Sequence, residues 1–301
     1  MRAVGFVDGV ITPLEEARVP VLDRGFLYGD SIYEVFRTYD GIPFMFDEHY
    51  ARLQNSAALS GMTVSFSLST IADAAKSCIA VSENTNRDDV YIRYQITRGE
   101  GPVDLYPDAS LQQRLIIIAK PVPSWNPDHY SQGMTMALTH LRRNATDSLN
   151  PNIKGGNYLN NVLALAEARQ YGADECLMLD HHNNVTECSN SNVWFVIDGV
   201  LTTPEAGNLV GLTRKKLIGL FSQTGNPVSI RDVEAQELLS AEECFVTSAT
   251  REVMPVKSLR FLDGSERGFP AGGGRITRQA IKLYSDMLVQ FREENRNDRW
   301  F

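Results

Sequence analysis

Residues 150–161 read NPNIKGGNYLNN and place a single lysine, Lys154, between a proline and a pair of glycines. The residues that follow, 158–169, repeat apolar side chains three and four positions apart, which predicts an amphipathic helix. Asn157 is its predicted N-cap, and Gly172 marks its predicted end. Lys154 is therefore expected in a loop just before a helix N-terminus.

Two interpretations of Lys154 follow from this position. A helix N-terminus and apolar neighbours both disfavour an ammonium ion, which would leave a free amine for Schiff-base chemistry. The alternative is an ordinary lysine in a solvated loop. The spacing alone favours this alternative, because most lysines in proteins are exposed.

Composition limits the class of protein. The 301 residues are 43% hydrophobic and 22% charged, an ordinary globular composition whose length fits two domains. A formal net charge of −8 without a long basic run argues against nucleic-acid binding. No apolar run predicts a membrane span and the first residues do not resemble a signal peptide, so we expect a cytoplasmic protein. The four widely spaced cysteines fit reduced thiols, and we expect no metal site.

Strand-like and helix-like segments are mixed in both halves of the chain, which predicts an α+β (mixed α/β) protein of two domains with a cleft between them. Residues 1–120 form the predicted smaller N-terminal domain, and residues 131–301 form the larger C-terminal domain. Residues 121–130, PVPSWNPDHY, are the predicted linker because three prolines interrupt a segment without periodicity.

Four local predictions can be checked against the structure. Residues 31–39 are predicted to form a strand with Ile32, Glu34 and Phe36 on one face and Tyr33, Val35, Arg37 and Tyr39 on the other. Residues 24–30 are predicted to form a glycine-punctuated loop before it. The run RLIIIAK at 114–120 predicts a strand buried on both faces. Residues 227–233 are also predicted to form a strand.

Three features fit a phosphorylated ligand. Gly211, Leu212 and Thr213 open a predicted helix, where backbone N–H groups and a hydroxyl can bind an anion. The turn Ser248-Ala249-Thr250 is small and rich in hydroxyls, and Arg52 could pair with phosphate through two hydrogen bonds. Each feature alone also fits a simpler role, as a helix cap, a turn or a solvated arginine.

Glu187 precedes the apolar strand VWFV. A buried carboxylate is costly without a cation, so an internal Glu187 would need a partner such as a protonated pyridine nitrogen. The alternative is an exposed glutamate in a turn.

Seven motifs occur in order along most of the chain: LDRGFLYGDSIYEVFRTYDG, HYARL, VYIRYQITRG, NIKGGNYLNNVLALAEA, TECSNSNVW, GLTR and TSATREVMPV. Together they resemble the class IV (fold type IV) pyridoxal-phosphate-dependent aminotransferases, which include branched-chain and D-amino-acid aminotransferases, (R)-amine transaminases and aminodeoxychorismate lyase. The resemblance implies a two-domain fold like that of D-amino-acid aminotransferase, with pyridoxal 5'-phosphate in the interdomain cleft, and a homodimer. Residues 24–33 and 99–108 are the expected subunit contacts.

The resemblance also implies roles for individual residues. Lys154 would bind the cofactor covalently and carry a proton, Glu187 would keep the pyridine nitrogen protonated, and Tyr158 would hydrogen-bond the phenolic oxygen. Arg52, Leu212, Thr213 and Thr250 would surround the phosphate. Ser248 and Ala249 would complete the cofactor site, and the turn 248–250 would also face the substrate carboxylate. The substrate would contact Tyr28, Tyr33, Tyr91, Arg93, Arg98, Ala249 and Thr250. The implied reaction moves an amino group from an amino acid to a 2-oxo acid such as 2-oxoglutarate.

The motifs divide on the substrate. YIR at 91–93 resembles the branched-chain enzymes, whereas YEVFR at 33–37 is closer to the D-amino-acid group. That group commonly uses an Arg-x-His pair, and here Glu100 replaces the histidine after Arg98. Arg24, Arg93 and Arg98 are all candidate ligands of the substrate carboxylate. We expect an L-branched-chain amino acid, with a D-amino acid or (R)-amine as the alternative and a pyruvate-releasing lyase less favoured.

Overall fold

The computed structural model describes residues 1–301, which divide into two compact units. The first unit contains Met1–Pro123, Asn152–Tyr158 and Gln290–Phe301, and the second contains Ser124–Pro151 and Leu159–Val289. The units differ from the predicted domains because two short segments beyond residue 131 pack in the first unit. The predicted linker also differs, since Pro127–Ser131 within and just after it is helical.

The first unit is built on a six-stranded antiparallel sheet. Its strands are β1 Val4–Val7, β2 Val10–Pro13, β3 Ser31–Tyr39, β4 Ile42–Pro43, β5 Val90–Thr97 and β6 Arg114–Pro121. They lie in the order β2-β1-β6-β5-β3-β4, and the apolar core covers one face of the sheet. The prediction that residues 114–120 are buried on both faces is therefore wrong: Ile117 is buried, but its neighbours Ile116 and Ile118 are only partly covered.

Three α-helices and a 3-10 helix complete the main segment of the first unit, namely Leu14–Glu16 (3-10), α1 Arg24–Tyr28, α2 Phe46–Leu59 and α3 Leu68–Val81. Helix α1 lies where the sequence predicts only a loop. Its single turn forms because the Asp23 carboxylate accepts the Gly25 N–H at its start and Gly29 adopts a left-handed conformation at its end.

The segment Asn152–Tyr158 belongs to the first unit because it pairs with β3. The Tyr33 N–H donates to the Lys154 carbonyl at 2.9 Å, and the Gly156 N–H donates to the Ser31 carbonyl at 2.9 Å. Gly155 forms the bridge with Ile32 between these two bonds. The segment thus lies along β3 like a short additional strand. This pairing fixes the position of the Lys154 backbone.

Residues Gln290–Phe301 join the first unit through aromatic packing. The Trp300 ring lies 5.6 Å from the ring of Phe36 and 5.2 Å from that of Phe46, both nearly perpendicular to it. The backbone N–H of Trp300 also donates to the Gly41 carbonyl at 2.9 Å. These contacts place the segment in the apolar core of the first unit.

The second unit contains a nine-stranded mixed sheet. Its strands are β7 Met134–Leu138, β8 Glu175–Leu179, β9 Val185–Cys188, β10 Asn192–Ile197, β11 Val200–Thr203, β12 Ser229–Ile230, β13 Glu243–Ser248, β14 Glu252–Arg260 and β15 Glu266–Gly268. They lie in the order β12-β11-β10-β13-β14-β7-β8-β9, and β15 pairs with β14. The predicted strand at 227–233 is thus shortened to two residues.

The helices that follow α3 are α4 Pro127–Ser131, α5 Leu159–Gln170, α6 Leu212–Gln223, the 3-10 helix Ala235–Leu239 and α7 Arg275–Glu294. Helix α5 is the helix predicted after the Lys154 loop. None of the helices combines the length and the apolar composition that a membrane-spanning segment requires.

Candidate active site

The Lys154 amine lies beside an aromatic side chain rather than in open solvent. Its Nζ is 3.4 Å from the Tyr33 hydroxyl and 4.6 Å from the centre of the Tyr33 ring, and the residue is half-buried. No carboxylate lies within ion-pair distance of Lys154. The amine is therefore held by a tyrosine hydroxyl and not by a carboxylate.

Helix α2 fixes the backbone of the lysine loop through Ser56. The fully buried Ser56 hydroxyl accepts the Lys154 N–H at 3.1 Å and donates to the Asn152 carbonyl at 3.2 Å. The sequence analysis missed Ser56. Its spacing from His49 and Arg52 along one face of the helix is the signal that could have identified it.

Tyr33 connects Lys154 to a second cation. The Arg93 guanidinium carbon lies 3.6 Å from the centre of the Tyr33 ring. Burial alone would raise the pKa of Tyr33, but the positive charges of Lys154 and Arg93 outweigh it and lower that pKa. A hydrogen bond with Tyr158 acts in the same direction, and the two rings meet edge to face at 5.7 Å. Lys154, Tyr33, Arg93 and Tyr158 thus form one cluster.

A buried ion-pair network lies on the opposite face of β3. Glu34 accepts hydrogen bonds from Arg52 at 2.6 and 2.8 Å and meets the His49 ring at 2.7 Å. Burial would raise the pKa of Glu34, but Arg52 and His49 lower it far below the usual range. Burial lowers the pKa of His49 despite the neighbouring carboxylate. Arg52, the predicted phosphate ligand, therefore already pairs with Glu34 through two of its nitrogens, and its contact with phosphate stays a prediction.

Two of the three candidate carboxylate-binding arginines share one partner. Asp30 accepts from the Arg24 Nε at 2.9 Å and from the Arg98 Nε at 2.8 Å. The other nitrogens of Arg98 donate to the Ser60 and Gly61 carbonyls. Those of Arg24 donate to the carbonyls of residues 104–106. Of the three arginines, only Arg93 lies next to Lys154 without a carboxylate partner.

The other predicted substrate contacts lie near these arginines. The Arg24 guanidinium is 4.9 Å from the centre of the Tyr28 ring, at the end of α1. Tyr91 lies two residues before Arg93 on β5, and the Lys120 amine lies 4.9 Å from its ring centre. Burial raises the pKa of Tyr91, and Arg93 opposes that rise.

In the second unit, Glu187 is buried and paired. Its Oε1 accepts from the Arg143 Nε at 2.9 Å, and its Oε2 accepts the Leu209 N–H at 3.1 Å. Arg143 also donates to the Asn160 side chain at 3.1 Å. These charge-assisted bonds fix the direction of the Glu187 carboxylate. The sequence analysis missed Arg143, which follows β7 without any recognisable motif.

The two segments predicted to bind an anion are a helix start and a turn, and their contact with an anion stays a prediction. Helix α6 starts after Gly211 without a side-chain cap, so the N–H groups of its first turn face no capping side chain. The turn at 248–250 is held by Trp125, whose ring N–H donates to the Thr250 carbonyl at 3.0 Å. The buried Arg251 supports the same turn, because it pairs with Glu175 at 3.0 Å and its N–H donates to the Ser248 hydroxyl.

Comparison with known proteins identifies the family. Residues 31–259 match the family model for class IV amino-transferases. The chain is 34% identical to a putative branched-chain-amino-acid aminotransferase of Methanocaldococcus jannaschii, over 95% of this chain and 96% of that protein. It is also 34% identical to a D-alanine aminotransferase of Bacillus licheniformis, over 94% and 96% respectively. The chain therefore belongs to the class IV aminotransferases.

A solved structure gives the same result. The branched-chain aminotransferase of the archaeon Thermoproteus uzoniensis, with norvaline, superposes with a TM-score of 0.84 at 29% identity and covers 97% of this chain and 96% of its own. The predicted fold, α+β with fold type IV architecture, is confirmed. The protein is an aminotransferase, as the motifs predict.

Proposed function

We propose that this aminotransferase moves the amino group of an L-branched-chain amino acid to a 2-oxo acid such as 2-oxoglutarate. Its cofactor is pyridoxal 5'-phosphate, which supplies the aldehyde that accepts the amino group and a ring that withdraws electrons. Three features of the structure fit this cofactor. Lys154 offers an amine without an acidic partner, Glu187 offers an oriented buried carboxylate, and α6 offers an uncapped helix start for phosphate.

Each residue has a definite task in this proposal. The Lys154 Nζ would hold the cofactor covalently and, once released, take the proton from the α-carbon of the substrate. Glu187 would hold a proton on the pyridine nitrogen, and the hydrogen bond from Arg143 fixes the direction of that carboxylate. Tyr158 would bind the phenolic oxygen. The phosphate would be held by the starting N–H groups and hydroxyl of α6 and by the 248–250 turn, with Arg52 as the predicted guanidinium ligand.

The observation that carries the substrate assignment is the division among the three arginines. A D-specific clamp would use Arg98, but Asp30 and two backbone carbonyls occupy its donors. Arg93, which lies in the motif that resembles the branched-chain enzymes, stacks on Tyr33 beside Lys154. Arg93 is therefore the proposed carboxylate ligand, together with the 248–250 turn.

The test follows the visible absorbance of the holoenzyme on mixing with one amino donor and no acceptor. The donors are L-leucine, L-valine, D-alanine, D-glutamate and (R)-1-phenylethylamine. We expect L-leucine and L-valine to bleach the cofactor band and the other three to leave it unchanged. Bleaching by the D-amino acids or the amine alone would contradict the proposal.

A D-amino-acid transaminase is the second candidate, because the identity to a D-alanine aminotransferase equals that to the branched-chain relative. The same experiment separates the two candidates. A lyase that acts on aminodeoxychorismate would instead release pyruvate without a second oxo acid, which a coupled pyruvate assay detects.

We also propose a cytoplasmic homodimer. Apolar side chains are exposed in both predicted contact regions, with Phe26 68% and Leu105 76% exposed. Arg24 links the two regions, since it lies in the first and donates to the backbone of the second. Exposed apolar groups clustered in this way are typical of a subunit interface. The four cysteines, which are buried and unpaired, are compatible with a reducing compartment.

A further inference from the structure

Arg93 has a neighbour on its own strand that neither the motifs nor the proposed mechanism uses. Arg93 and Gln95 are two residues apart on β5, so their side chains project from the same face of the sheet. Tyr33 is the partner of Gln95 in the register of β3 and β5. The three side chains therefore share the face that also carries Lys154.

A row of hydrogen bonds runs from Arg93 through Gln95 to Ser31 on β3. The Arg93 Nη2 donates to the Gln95 Oε1 at 2.8 Å, and the Gln95 Nε2 donates to the Ser31 Oγ at 2.8 Å. A guanidinium has only donors, so the amide oxygen of Gln95 must face Arg93. Its NH₂ group must then face Ser31, which fixes the amide in a single orientation.

The lysine loop covers the Ser31 end of this row of hydrogen bonds. Gly156 lies directly over Ser31, and a Cβ added to Gly156 would come within 2.3 Å of the Ser31 Oγ. The same Cβ would lie 3.5 Å from the Gln95 Nε2. A glycine at this position therefore lets the loop cover the hydroxyl, and Ser31 is buried as a result.

The charge at the Arg93 end of the row indicates the kind of ligand that it would bind. Arg93 is half-buried and has no carboxylate within ion-pair distance. Lys154 lies against the same ring of Tyr33, so two cations approach one aromatic ring without an acidic partner. Partly desolvated positive charge without a counter-ion is stabilised by an anionic ligand.

We propose that Gln95, anchored by Ser31, is the positioning residue that orients Arg93 towards the substrate carboxylate. This proposal rests on the proposed function, in which Arg93 is the carboxylate ligand. An arginine side chain has many rotamers, and the ordering of a free one on binding weakens a complex. Gln95 removes part of that cost because Arg93 is already held against Tyr33 before the ligand arrives.

The test compares two unreactive ligands with the same carbon skeleton, one anionic and one neutral. 4-Methylpentanoate carries a carboxylate, and 4-methylpentanamide has the same skeleton with a neutral head. Their Kd values for the holoenzyme are measured from the change in cofactor absorbance. The Kd of the amide divided by the Kd of the carboxylate gives the preference for the anion, and this quotient is the ratio used below. We expect Gln95→Leu to lower this ratio about tenfold through weaker carboxylate binding, with the Kd of the amide nearly unchanged. Ser31→Ala should lower the ratio less.

A double-mutant cycle separates positioning from a general structural role. Arg93→Leu should lower the ratio further than Gln95→Leu does, and Arg93→Leu/Gln95→Leu should match Arg93→Leu alone, because Gln95 acts through Arg93. Gln290→Leu is the matched control, since Gln290 is exposed and its side chain makes one hydrogen bond, to Glu294. It should leave the ratio unchanged. Unfolding temperatures identify any variant that is merely unstable.

Each contrary result has a distinct meaning. A Gln95→Leu enzyme that keeps the wild-type ratio, or a further loss on adding Gln95→Leu to Arg93→Leu, would overturn the positioning role. If the wild type transaminates but Arg93→Leu keeps the ratio, the role of Gln95 fails while the aminotransferase remains. A wild type that bleaches with none of the five amino donors would instead refute the proposed function.

Discussion

Lys154 and Arg93 meet the same aromatic ring, and neither has an acidic neighbour. Among the three candidate arginines, Arg24 and Arg98 both pair with Asp30. Arg93 does not, and it is therefore the one proposed to bind a ligand. At the level of single residues, the site is thus defined as much by the arginines that are paired as by the one that is not.

Replacement of Lys154 tests its role as the base. We expect Lys154→Ala to lower kcat by about 10²–10⁴-fold, the contribution of a positioned acid–base group. The matched control is Lys120→Ala, because the Lys120 amine also lies over a tyrosine ring, at 4.9 Å from the centre of Tyr91. Steady-state kinetics with L-leucine measures both variants. A Lys154→Ala enzyme within tenfold of the wild type would contradict the assignment.

The buried Glu34 network predicts a pH-dependent stability. The pKa of Glu34 is lowered in the folded protein, so the carboxylate stabilises the fold above the ordinary glutamate pKa, and that contribution is lost as the pH falls towards the lowered value. Glu34→Gln leaves Arg52 without its carboxylate and should cost about 3–5 kcal/mol at pH 7.

Urea unfolding of the wild type and Glu34→Gln at pH 7, 5, 4 and 3 measures this effect. The difference between the two proteins should shrink as the pH falls from 5 to 3, because glutamate in the unfolded chain becomes protonated below about pH 4.5. A difference that stays the same down to pH 3 would show that the network is not ionised as described.

At the level of elements, helix α2 and strand β3 together hold the lysine loop. Strand β3 pairs with residues 154–156, and α2 contributes the Ser56 hydroxyl, which bonds the loop at two backbone atoms. The loop is therefore held along both edges, which keeps the Lys154 side chain on the face of Tyr33.

Ser56→Ala should weaken this arrangement. The Lys154 N–H loses its buried partner, and leaving such a donor unsatisfied costs about 1–3 kcal/mol. We expect a lower free energy of unfolding in urea and a lower kcat, because the amine is less well positioned. Ser60→Ala, just after the same helix, is the control, since its hydroxyl bonds only the Ala57 carbonyl. Equal losses of kcat in both variants would argue against a specific role of Ser56.

At the level of the whole molecule, neither unit is a continuous piece of chain. The first unit takes Asn152–Tyr158 into its sheet and Gln290–Phe301 into its core. A cut at any single linker would therefore remove either the lysine loop or the Trp300 contacts from the first unit.

The proposed homodimer gives a prediction at the same scale. Leu105→Asp places a charge on an apolar side chain that is 76% exposed, and we expect it to shift the protein towards monomers in sedimentation experiments. Val10→Asp is the control, because Val10 is also exposed, at 62%, but lies outside the predicted contact regions. A dimer that is equally stable in both variants would place the interface elsewhere.

Local patterns in the chain were enough to predict the class of the fold and the order of most elements, and ordered motifs pointed to the candidate site residues. Lys154, Glu187 and the α6 start are recognisable because each lies in a local motif, and local spacing is preserved in the folded chain. The helix after the lysine and the strand at 31–39 were predicted for the same reason. The one-turn helix α1 was missed because one hydrogen bond at each end decides it.

Which side chains meet is a property of the folded molecule. The sequence left three arginines as equal candidates for the carboxylate, and the pairing of Arg24 and Arg98 with Asp30 distinguishes Arg93 from them. Arg143, Ser56 and Gln95 were missed because their partners lie far away in sequence or follow no motif. Such contacts depend on strand register and on the path of the chain between elements, and a linear pattern of residues does not encode either one directly.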